Sequence, residues 1–134
     1  MIFKVGDYDR LREVVLIDYD RFTKAYKRFS KRILKSGLEH RSAYLEDVLQ
    51  MLNDSNFMIF FFTQAKNRLL EVQRAYPDLL SVADVRNFNS ELQEYIETLR
   101  GSSFALTEAS KSARLLLEIE REQRQEKKRE QVEA

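Results

Sequence analysis

Arg21-Phe-Thr-Lys-Ala-Tyr-Lys-Arg-Phe-Ser-Lys-Arg-Ile-Leu-Lys35 carries seven basic residues, no acid, and large rings or apolar chains at Phe22, Tyr26, Phe29 and Ile33. Spacings of four, three and four place those four on one face of a helix. Upstream the stripe continues at Tyr8, Leu11, Val15 and Tyr19. The pattern predicts one helix that opens near Asp7 or Asp9, either able to cap free amides, and closes at Ser36 before Gly37. From residue 8 to 36 it is ~43 Å long, a rod that belongs in a bundle or coiled coil.

At ~100° per residue from Phe22, Lys24, Arg28, Lys31 and Lys35 fall at about 180–240°, opposite the rings. By the same geometry Lys27 lies near ~140°, with Arg21 and Arg32 at about 260–280°. The whole chain is only +1, so without this +7 segment the remainder holds sixteen basic against twenty-two acidic residues and stands at −6.

Outward from this rod, Tyr44, Leu45, Val48, Leu49 and Leu52 predict a second helix over 41–52, with a break at Asn53-Asp-Ser-Asn56. Asp54 or Ser55 would then cap a third helix over 56–76, whose seam is Met58, Phe62, Ala65, Leu69, Val72 and Tyr76. Phe57, Phe60 and Phe61 widen that seam, so its start is expected to be buried on more than one side, with these rings supplying surplus apolar surface for self-association. Pro77 ends the helix. Ser81-Val-Ala-Asp84 suits a short turn, and Ser90-Glu-Leu-Gln93 reads as a capping box for a helix running to Gly101. A last helix from Ser102 or Ser103 points Leu106, Ala109, Ala113, Leu116, Leu117 and Ile119 inward.

Beyond Ile119 only Val132 and Ala134 are apolar, so residues 120–134 read as a charged tail, solvated helix or disordered, on a helical domain of residues 1–119. With three Gly and one Pro in 134 residues, turns are too scarce for a sheet. The expectation is an all-α fold: an elongated up-down bundle of four to five helices with a C-terminal extension.

Catalytic patterns are hard to find. There is no cysteine, which removes thiolate metal sites and cysteine nucleophiles and makes a cytoplasmic setting the default. His40 is the single histidine, and the three glycines are isolated from one another, so neither a multi-histidine metal site nor a phosphate loop can be assembled. Glu91, Glu94 and Glu97 share one helical side, but Tyr95, Ile96 and Leu99 mark the other as the core, which reads the carboxylates as a solvated face. The ring stripe lacks axial histidines for haem and reads as packing. We therefore expect no enzyme, no cofactor and no metal. The longest apolar run, residues 57–62, is far short of the ~20 residues that span a bilayer, and the N-terminus Met-Ile-Phe-Lys-Val-Gly-Asp has no apolar leader core, so no integral membrane association is expected.

Ala75-Tyr-Pro-Asp-Leu79, followed by Phe88 and Leu92, resembles a stretch of the LemA family of helical proteins. The likeness covers under a fifth of the chain, the family's membrane anchor and the first fifty residues have no counterpart here, and no function is carried across.

The cationic row has four readings: a solvated face, a dock for an acidic protein, a track for nucleic-acid phosphates, or a membrane-surface contact. Rings committed to the opposite face cannot stack on bases, and a domain near neutrality lacks the usual basic excess of a nucleic-acid binder. The sequence thus favours a helical assembly or adaptor protein. It would self-associate through Phe57, Phe60 and Phe61 and dock an acidic partner through Arg21, Lys24, Lys27, Arg28, Lys31, Arg32 and Lys35. A nucleic-acid-binding accessory protein is the alternative.

Overall fold

The computed structural model describes residues 5–36, 44–78 and 80–133, with side chains over 8–32, 44–78 and 80–132. Its described residues form three helices: α1 (Val5–Ser36), α2 (Leu45–Ala75) and α3 (Val82–Glu133). The fold is all-α, with three long helices in place of the expected four to five.

Three expected boundaries are absent. Asn53-Asp-Ser-Asn56 lies inside α2. Ser55, expected as a cap, is fully buried, with its hydroxyl in contact with the Leu99 carbonyl at 3.1 Å and with Ser103 Oγ at 2.7 Å. Asp54 accepts a bond from Gln50 one turn back at 3.0 Å, a spacing that the continuous helix brings face to face. Ser90 and Gly101 are internal to α3, where Ser102 and Thr107 turn their hydroxyls back to the carbonyls of Thr98 and Ser103. The true cap of α3 is Ser81: its Oγ accepts the Asp84 amide at 3.0 Å and opens a 52-residue helix, not a short turn. Pro77 acts as expected, since α2 ends at Ala75 and the Tyr76 amide bonds back to Val72. Gly37 and His40 fall outside the described residues.

The helices run up, down and up. Tyr8 meets Phe88 and Tyr19 stacks on Tyr95, so α1 and α3 are parallel. Ser55 meets Ser103 and Lys66 meets Gln93, so α2 and α3 are antiparallel. Buried positions recur every seven residues on each helix: Tyr8, Val15, Phe22 and Phe29; Val48, Ser55, Phe62 and Leu69; Val85, Leu92, Leu99, Leu106 and Ala113. That is the period of a coiled-coil seam. The stripe read from α1 is therefore the buried one, with Leu11, Tyr19 and Tyr26 packed at its margins. Residues of all three helices share one core around Phe62, Phe88 and Leu92, and a smaller cluster joins Phe29, Val48 and Leu106. Truncating the fully buried Phe62 to Ala should cost about 3–5 kcal/mol.

Two further expectations are corrected. Phe57 and Phe60 are 67% and 63% exposed, so this part of α2 is not buried on more than one side; only Phe61 turns partly onto the core. Ile119, expected inward, is exposed. The residues after it continue α3 as solvated helix, with 121–132 all exposed, because Glu, Arg, Lys and Gln are good helix formers that bury nothing here. Among the described residues, no helix is long and apolar enough to cross a membrane.

Candidate docking face on α1

The rotation of α1 about its own axis decides which side chains face water, and ring contacts set that rotation. Tyr19 lies flat on Tyr95 of α3, with ring centres 4.0 Å apart and planes 19° apart. Phe29 meets the Tyr44 edge at 6.3 Å, and Phe22 stacks beside Tyr26 at 6.1 Å. Near the start of α1, the Tyr8 hydroxyl donates to the Asp84 carbonyl at 3.2 Å, and Arg12 pairs with Glu91 at 3.1 Å. With rings turned in, Arg21, Lys24, Lys27, Arg28, Lys31 and Arg32 are all exposed. Lys35 lies in the last turn of α1, with its side chain outside the described set.

Within this row, Lys24 is bound to Asp20 one turn earlier at 2.8 Å. Arg32 lies over the Phe29 ring, 5.7 Å from its centre, a cation–π contact that leaves the guanidinium edge open for hydrogen bonds. Arg21, Lys27, Arg28 and Lys31 have no carboxylate partner among the described residues. Arg28 and Arg32 flank a concavity of about 350 Å³ floored by Ala25 and Phe29. Two planar guanidinium groups on one apolar floor suit a carboxylate, which each can grip with two parallel N–H bonds.

Beside this face, α1 and α2 enclose an open groove of about 420 Å³. Its walls are apolar, with Phe22 and Ala25 facing Met51, Phe57, Met58 and Phe61; Asp18, Arg21 and Asp54 supply the charge. Phe57 and Phe61 thus line one edge of the groove, whereas Phe60 stands outside it.

The carboxylates of α3 are arranged differently from the solvated row expected. Glu91 is half-buried against Arg12, and its Oε2 is buried without a hydrogen-bond partner among the described residues; Glu94 and Glu97 are exposed, with Gln93 donating to Glu97 at 3.2 Å. Among the described residues, no three His, Cys, Asp or Glu side chains are grouped to hold a metal ion. Burial pushes the Tyr8 and Tyr95 hydroxyls above the ordinary tyrosine range, with Arg12 opposing the effect and neighbouring acids such as Glu91 reinforcing it.

Sequence reasoning missed the Arg28–Arg32 concavity. Its signal was present in the four-residue spacing of two arginines around Phe29, but the floor depends on how α1 is rotated. No family model, no curated protein and no solved structure matches this chain.

Proposed function

We propose that this protein is a non-enzymatic helical adaptor. It docks an acidic protein partner on the basic half of α1, self-associates, and works in the cytoplasm. The observation that carries the reading is the pair Arg28 and Arg32, both exposed, both lining one concavity and bound to no carboxylate among the described residues.

Helix energetics support it. Lys24 and Arg28, Lys27 and Lys31, and Arg28 and Arg32 are like-charged pairs four residues apart. Each such pair costs an isolated helix about 0.2–0.5 kcal/mol. A face needed only for solubility would interleave acids, as the α3 extension does with Glu118, Arg121, Glu122, Arg124 and Glu126. Lys24 apart, which Asp20 holds at 2.8 Å, the basic half of α1 forgoes that relief, which fits a counter-charge arriving from outside the chain. An acidic protein is favoured over nucleic acid because Phe22 and Phe29 are buried in the core and offer no stacking surface for bases.

The test is retention of host proteins on immobilised wild-type chain and on Arg28→Glu/Arg32→Glu, after nuclease treatment. The proposal predicts one or more proteins retained by the wild type and lost from the variant, each with an acidic contact surface. Equal retention by both, or loss on nuclease treatment alone, contradicts it. A salt-sensitive affinity for a DNA duplex that the same variant abolishes would establish the alternative.

A further inference from the structure

The outer face of α2, directly opposite its buried seam, carries no charge between Glu46 and Arg68. Gln50, Asn53, Phe57, Phe60, Gln64 and Asn67 occupy it, and all six are exposed. In a chain that is 34% charged, this uncharged strip spans about 26 Å of helix and holds two of the most exposed large apolar side chains. Asn53, Gln64 and Asn67 make no side-chain hydrogen bond within the described residues. Exposed Asp54, three residues before Phe57, borders the strip and accepts from Gln50 at 3.0 Å, whereas along the strip itself charge is depleted around the rings, the compositional mark of an interface centre.

The order of residues identifies the occupant. About a point midway between residues 58 and 59, the strip is symmetric in side-chain class, ring opposite ring and amide opposite amide: Phe57 mirrors Phe60, Asn53 mirrors Gln64, and Gln50 mirrors Asn67. In an antiparallel helix pair related by a two-fold axis, residues equidistant from the centre face one another across the seam. We propose that the partner of this strip is the same strip on a second copy, with ring against ring at the centre and amide against amide on both sides. Side-chain amides both donate and accept, so they can pair with their own kind, whereas a charged face cannot. Outside the strip Glu46 faces Glu71, where Arg68, already 3.1 Å from Glu71, supplies the counter-charge.

Four rings at roughly two-thirds exposure would remove on the order of 500 Å² of apolar surface from water. A helix pair of this length stays at the low end of specific interfaces, below about 1,200 Å² in total. The dimer should accordingly dissociate on dilution in the micromolar range. It uses no residue of α1. The inference rests on the self-association in the proposed function and is independent of its basic face.

Sedimentation of the full chain from 1 to 500 µM tests it, alongside Phe57→Ser/Phe60→Ser with helix content checked by circular dichroism. Wild type should pass from monomer to dimer, and the variant should need at least about tenfold more protein to do so. The chain has no cysteine, so introduced thiols report register on a silent background. Asn53→Cys mixed with Gln64→Cys should oxidise to a covalent dimer several-fold faster than Asn53→Cys alone. A wild type that stays monomeric throughout overturns the proposal together with self-association. A dimer unaffected by the double serine variant, or equal oxidation rates, overturns this interface and leaves self-association standing.

Discussion

Ser55 of α2 and Ser103 of α3 meet oxygen to oxygen at 2.7 Å, in the layer where Leu99 closes the core. Each hydroxyl has one proton. Ser103 donating to Asn56 at 2.9 Å leaves Ser55 to donate either to Ser103 or to the Leu99 carbonyl. This chain of bonds satisfies the one polar residue in the heptad seam of α2 and lets the two helices approach closely. Ser55→Ala should lower stability by about 1 kcal/mol. Ser55→Leu should cost about 1–3 kcal/mol or more through overpacking. Urea unfolding followed by circular dichroism measures both; a leucine variant as stable as wild type would contradict the close packing.

Gly101 is exposed inside α3, and a Cβ added there would meet nothing within 4 Å. Gly101→Ala removes backbone freedom from the unfolded chain without a clash. It should raise stability by about 0.5–1 kcal/mol, read as a higher urea midpoint with unchanged slope.

Charge reversal on the basic face separates docking from folding. Arg28→Glu places an acid four residues from both Lys24 and Arg32, turning two repulsive pairs into attractive ones. The variant should melt at or slightly above the wild-type temperature while losing the acidic partner. A marked drop in melting temperature would show that Arg28 is structural.

Burial raises the tyrosine hydroxyls of Tyr8 and Tyr95 above their ordinary 10.0. For such a group the folded state holds its proton longer than the unfolded state does. Its contribution is full below pH 10 and is lost as pH rises through the folded value. The urea midpoint should therefore fall above pH 10, and less steeply in Tyr8→Phe/Tyr95→Phe. Identical alkaline profiles for the two proteins would contradict the assignment.

Much of α1 was legible in the sequence because its signals are local. Apolar residues at three and four, held from Tyr8 to Phe29, fix both the helix and its buried side, and the cations then have only the other side. Legibility failed where tertiary contacts override local preference. Asn53, Asp54 and Ser55 are good caps on their own, but a hydroxyl partner forty-eight residues away keeps Ser55 inside a helix. Splitting α2 there also hid the uncharged strip, whose mirror order exists only on one continuous helix. The Arg12–Glu91 and Lys66–Gln93 contacts join residues far apart in the chain, and no spacing rule reaches them.

The dock itself is tested most directly by nuclear magnetic resonance of the arginine side chains while a glutamate-rich helical peptide is added to the 134-residue chain. Binding at the concavity predicts that the Nε–H signals of Arg28 and Arg32 move first and saturate together, with those of Arg114, Arg121, Arg124 and Arg129 unmoved. Shifts confined to the α3 arginines, or none at either Arg28 or Arg32, would contradict it.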